Sequence, residues 1–210
     1  MKEDDILAPK NKFTKNEMVA AAVNVVRRSG IESLTAKALA AELKISTQPV
    51  FTCFANMDSL KNEVYKAAEK IYEERVLRGL KEKTPFLGFG KQYIGFAKEE
   101  PELYRLLFLT PGTVKSGAFF MAERSKELVK QSLIEIYRLS ETEAEVYFRY
   151  MWLAVHGIAT LFVTGGCDYS NEEISKILTG FSVSICKSIK EIPGFAEGSF
   201  DKDKVFRNII

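Results

Sequence analysis

Three short stretches of one kind constrain this chain more than its composition does. Thr14-Lys15-Asn16-Glu17, Ser140-Glu141-Thr142-Glu143 and Ser170-Asn171-Glu172-Glu173 each place a hydroxyl three residues before a glutamate. At that spacing the hydroxyl accepts from the glutamate's backbone N–H. The carboxylate reaches back to the N–H of the hydroxyl residue. Two donors orphaned at a helix start are thereby satisfied together. Apolar residues then recur at three- and four-residue intervals, as in Met18, Ala21, Ala22, Val25 and Val26. Runs of β-branched residues with period two are missing. The pattern predicts an all-α protein of about nine helices.

The remaining punctuation divides the chain. Residues 1–12 are polar, carry Pro9 and read as a flexible arm. The first helix ends at Arg27-Arg28, which suit the C-terminal dipole, and Gly30 suits the residue beyond it. Thr35 caps a short second helix that buries Leu39, Ala40 and Leu43 and ends by Lys44. Ser46 caps a third, with Thr47, Gln48 and Pro49 in its first turn, where proline costs little. Val50, Phe51 and Phe54 are expected to point inward. Asn56 caps a long fourth helix striped by Leu60, Val64, Ala67, Ala68 and Ile71. Thr84-Pro85 and Glu100-Pro101 start helices, Pro111-Gly112 is a break, and a helix follows over 116–139. The second box opens a helix that Gly165-Gly166 ends, and the third opens one to about residue 190. Pro193-Gly194 begins a polar tail. The expected division is an arm (1–12), a three-helix domain (13–56), a larger helical domain (57–192) and a tail (193–210).

Two short helices joined by a turn of three or four residues make a helix-turn-helix, and residues 35–54 fit that description. A second helix lying in a major groove needs a polar N-terminal end. Ser46, Thr47, Gln48, Pro49 and Thr52 form that end, with Thr35, Lys37 and Lys44 around the turn. The net charge of the chain is only +2, but residues 10–50 hold seven Lys and Arg against three Glu. The local footprint is basic. Lys10, Lys12 and Lys15 lead into it and read first as a solvated arm.

The stretch from Gly30 to Leu60 resembles the N-terminal domain of the TetR/AcrR family. The features that carry the resemblance are Gly30, Leu34-Thr35, Ala41, Ile45-Ser46, Phe51, Phe54, Asn56 and Leu60. It implies that the chain binds double-stranded DNA at a palindromic operator as a homodimer. Family members often have tyrosine at position 51 and lysine at position 57, both holding phosphate. Phe51 and Met57 cannot, which shifts that work to Thr35, Thr47, Lys44 and the arm. Gln48, often glycine in the family, can read adenine in a bidentate manner. The segment Met151 to Gly157 resembles a Trp-x-x-x-His-Gly signature in one branch of these regulators, and Glu100 to Leu106 has the same flavour.

By that resemblance the larger domain binds a small apolar or cationic ligand and dimerises through its last two long helices. The expected ligand residues are Phe89, Tyr93, Phe108, Phe120, Tyr147, Trp152 and His156. The expected seam is Tyr147, Met151, Val155, Ile158 and Phe162 with Ile174, Ile177, Phe181 and Ile185, and Gly157, Gly180 and Ser184 allow close approach. His156, the only histidine, reads first as a hydrogen-bonded core group, with ligand contact and pH sensing as alternatives.

Other classes have little to draw on. Cys53, Cys167 and Cys186 are not in CxxC spacing, so neither a zinc site nor a disulfide framework is expected, and no cofactor or metal. There is no G-x-S-x-G, no HExxH and no phosphate-binding glycine loop, so no enzyme is expected. A helical adaptor with weakened DNA binding is the competing reading, favoured by Phe51 and Met57. The N-terminus has no apolar core of a signal peptide, and the apolar run at 151–163 is too short to span a bilayer. The expectation is a cytoplasmic protein away from the membrane.

Overall fold

The computed structural model describes residues 13–111 and 117–209, with side chains to residue 207. The arm, with Lys10 and Lys12, lies outside them. The described residues are helical throughout with no strand: α1 (Lys15–Ser29), α2 (Ala36–Leu43), α3 (Gln48–Cys53), α4 (Met57–Gly79), α5 (Pro85–Glu99), α6 (Pro101–Tyr104), α7 (Ala118–Tyr137), α8 (Glu141–Thr164), α9 (Asn171–Glu191) and α10 (Lys202–Ile209). A π-wound turn, Arg105–Leu109, follows α6 directly. The helix beyond the nine expected is α10, inside what reads from sequence as a polar tail. The chain divides into two compact units, residues 1–70 and 71–210.

All three capping boxes form, with both reciprocal bonds present at Thr14, Ser140 and Ser170. Thr35 accepts from the Ala38 N–H at 3.1 Å, and Asn56 Oδ1 accepts from the Ser59 N–H at 2.8 Å. Gly165 closes α8 at φ 74, the left-handed region glycine favours. Unit one is held by Met18, Ala22 and Val26 of α1, Leu34, Leu39 of α2, Val50 and Phe54, and Leu60, Val64 and Ala68 of α4, all buried.

In unit two, α5 lies against α8 and α9, and α7 against α8. Its core is aromatic: Tyr72, Phe86, Phe89, Tyr93, Phe96, Tyr104, Phe108, Tyr147 and Phe148 are all buried. Two glycines set one crossing. A Cβ at Gly88 would stand 2.1 Å from the Gly79 carbonyl oxygen, so the end of α4 and the start of α5 meet backbone to backbone. The apolar stretch of α8 is longer than residues 151–163 suggest. Among the described residues it is one helix long and apolar enough to cross a membrane, but it packs within unit two.

Candidate functional site

In unit one the turn between α2 and α3 is built by backbone chemistry. Lys44 adopts φ 54 as α2 ends, its N–H reaches the Ala41 carbonyl at 3.2 Å, and the Ile45 N–H reaches that of Ala40 at 3.0 Å. The third helix starts one residue later than expected, at Gln48, with Thr47 and not Ser46 as its N-cap. Thr47 makes no side-chain cap bond. The reason is Pro49: it removes the donor at the second helical position, and the Val50 N–H is taken by the Thr47 carbonyl at 3.1 Å. The hydroxyls of Ser46 and Thr47 are therefore left for a partner.

Thr35, Lys37, Lys44, Ser46, Thr47, Gln48 and Thr52 are exposed, and Pro49 is half-buried. Lys37 and Lys44 make no ion pair among the described residues. Lys15 differs. Its ammonium lies 3.3 Å from Glu63 and 5.7 Å from the centre of the Phe54 ring, so it serves the fold of unit one. Thr52 donates its hydroxyl proton to the Gln48 carbonyl at 3.2 Å, which leaves it an acceptor only.

Phe51 corrects the expectation that it points inward. It is 53 % exposed, on the outer face of α3 with Gln48 and Thr52, while Val50 and Phe54 fill the core. The sequence reading missed it because aromatics usually mark the inner face. The signal was the spacing: Val50 and Phe54 lie four apart, and Phe51 stands off that stripe.

In unit two, His156 stands at the centre of a polar cluster. Its Nδ1 is 3.0 Å from the Tyr93 hydroxyl and 2.9 Å from that of Tyr104, which also lies 3.1 Å from the Thr160 hydroxyl. Trp152 stacks on the His156 ring at 4.7 Å with 9° between planes. Burial pushes the His156 pKa down, and pushes those of both phenols up, Tyr104 to about 12. At neutral pH the cluster is uncharged.

The expected ligand residues thus divide. Phe89, Tyr93, Phe108, Trp152 and His156 are joined in one chain of ring contacts. Tyr147 touches that chain only at its far end, through Phe86 to Phe89, and its hydroxyl bonds to Ser182 at 2.7 Å. Phe120 is half-buried, 5.9 Å from the Arg124 guanidinium. None lines the small cavity of about 80 Å³ between α5, α7, α8 and α9, whose walls include Phe86, Met151, Val155 and Leu178. The larger groove of unit two, about 750 Å³, runs along α9 and α10 past Lys187, Asp201 and Lys204.

The expected seam divides as well. Tyr147, Met151, Val155, Ile158 and Ile174 are buried within unit two. Phe162, Ile177 and Ile185 are half-buried, and Phe181 is exposed. The outer stripe of α8 is Tyr150, Leu153, Gly157 and Leu161, and α9 exposes Gly180, Phe181 and Val183. A Cβ on Gly157 or Gly180 would meet nothing within 4 Å.

Residues 86–179 match the family model described as Tetracyclin repressor-like, C-terminal domain. This part of the chain is similar to a tetracyclin repressor-like C-terminal domain. The match runs from α5 into α9 and takes in Trp152, His156 and Gly157, the residues that carried the second resemblance. No curated protein matches the chain. The matched segment therefore contains both the histidine cluster and the open stripe of α8.

Proposed function

We propose that this protein is a one-component transcriptional repressor, a homodimer in the cytoplasm that reads a palindromic operator and is released by a small ligand. The observation that carries the reading is the two-sidedness of α3. Val50 and Phe54 anchor it, while Thr47, Gln48, Phe51 and Thr52 face outward with two uncommitted hydroxyls and two unpaired lysines nearby. The repressor-type domain that follows supports a regulator over an enzyme.

Gln48 and Thr47 read base edges, Phe51 meets a thymine methyl or a sugar, and Lys37, Lys44 and Thr35 hold phosphate. Two copies associate through the outer stripes of α8 and α9, and each dimer spans successive major grooves about 34 Å apart. The test is a gel shift with genomic fragments across a salt series, followed by sequencing of the bound fragments. Binding to a palindromic set, weakened as salt rises, is expected. A chain that retains no fragment at low salt is a helical adaptor instead.

A further inference from the structure

One donor in the repressor-type domain has no acceptor. Trp152 is nine-tenths buried, and its indole Nε1–H makes no hydrogen bond. Buried N–H groups without a partner are rare and point to an absent one. The site has a second unusual feature. Phe108 is carried by the π-wound turn Arg105–Leu109, and its ring lies 4.9 Å from Tyr104, 5.0 Å from Tyr93 and 6.1 Å from His156. Such turns carry one extra residue per turn and frequently mark functional sites.

The chemistry around the indole is uniform. Tyr93, Tyr104 and Thr160 bring hydroxyls, and His156 offers Nδ1 to two of them. Among the described residues, no carboxylate, lysine or arginine takes part in the cluster's hydrogen bonds or ring contacts. Arg105, on the π-wound turn, spends its guanidinium on the Val163 carbonyl at 2.7 Å and on Glu102 at 3.4 Å. A buried cation would meet the positive end of an N–H and no counter-charge. A buried anion would find a donor but no cation. Either carries a heavy desolvation cost, whereas a neutral oxygen acceptor carries little.

We infer that Trp152, His156, Tyr104 and Phe108 enclose a ligand subsite, closed in this structure. It takes a neutral apolar compound whose carbonyl-type oxygen accepts from Trp152 Nε1–H. Entry requires Phe108 and its turn to move, so the ligand selects a state in which that turn is displaced. The inference rests on the ligand-released reading and narrows its ligand from apolar or cationic to neutral with an acceptor.

The chain holds one tryptophan, so the nitrogen-15 spectrum of the full-length protein carries one indole N–H signal. Three probes of similar size separate the possibilities: acetophenone, tert-butylbenzene and phenyltrimethylammonium. Acetophenone is expected to move the indole proton downfield saturably, and tert-butylbenzene to bind more weakly without that shift. The cation is expected not to bind. Trp152→Phe keeps a stacked ring and deletes the donor. It should weaken acetophenone about tenfold and leave tert-butylbenzene unchanged. An indole signal that acetophenone does not move overturns the inference. So does phenyltrimethylammonium binding as tightly, or a Trp152→Phe variant that binds acetophenone like the parent. The gel shift above needs no ligand, so the two failures are distinguishable. Operator binding with a silent indole removes the subsite alone, and a responsive indole without operator binding removes the repressor.

Discussion

Gln48 and Lys44 lie four residues apart in sequence, one opening α3 and the other closing α2. Gln48 projects from the first turn of α3 with its amide uncommitted, and Lys44 ends α2 in the left-handed region with its ammonium unpaired. Gln48→Ala is expected to relax sequence preference at one base step, costing about 1–3 kcal/mol there. Lys44→Ala should weaken every sequence alike and flatten the salt slope by about one unit. Competition gel shifts over operator variants check both, and uniform loss in the two mutants would dismiss the assignment. His156 makes a different statement. Its ordinary pKa is near 6.5 and burial lowers it, while its titratable neighbours Tyr93 and Tyr104 ionise far higher. The unfolded chain therefore binds a proton that the folded chain resists. The stability from the neutral ring is complete above pH 6.5 and is lost as pH falls toward the lowered value. Thermal melts from pH 7.5 to 5 should show a decline in the parent that His156→Asn lacks. The capping glutamates Glu143 and Glu173 act later, because their pKa values lie below 4.5.

At the scale of elements, the meeting of α4 and α5 is the contact least open to change. Gly79 and Gly88 each leave no room for a Cβ, and the obstructing atoms are backbone. Gly88→Ala would ordinarily favour a helix, since alanine is the better helix former. Here it must push two helices apart, and overpacking of that kind costs about 1–3 kcal/mol. Denaturant melts are expected to show the variant less stable, and one as stable as the parent would mean the crossing is loose. The α3 helix shows the opposite economy. Its six residues bury only Val50 in the helix proper, with Phe54 at its end, so its outer face carries no packing constraint.

For the whole molecule the proposed homodimer turns on which surface two copies would share. Leu153, Leu161, Phe181 and Val183 are all more than two-fifths exposed on the long helices of unit two. Because they leave the core of one protomer untouched, charges placed there test association without testing folding. Leu153→Glu with Phe181→Glu would set each new carboxylate against an isologous interface. Sedimentation at micromolar protein is expected to show monomers, with a circular dichroism spectrum like the parent and much weaker operator binding. A variant that stays dimeric places the seam on another face.

The sequence by itself determined where most helices begin and end, with α3 and α10 the exceptions. The boxes at Thr14, Ser140 and Ser170, the caps at Thr35 and Asn56 and the stop at Gly165 all appear where their residues predict, because each bond closes within a few residues of chain. Faces were another matter. α8 is apolar nearly all round, so its pattern alone does not say whether Tyr147, Met151 and Val155 or Tyr150, Leu153 and Leu161 turn inward. Contact with α5, α7 and α9 decides it, and buries the first set. The same holds for Phe51, which Val50 and Phe54 displace from the core of unit one, and for α10, which the polar tail did not announce. The residues of the cluster were legible as aromatic, but their closure around His156 was not. Those rings come from α5, α6, α8 and the π-wound turn, up to 63 residues apart, and only packing brings them to one nitrogen.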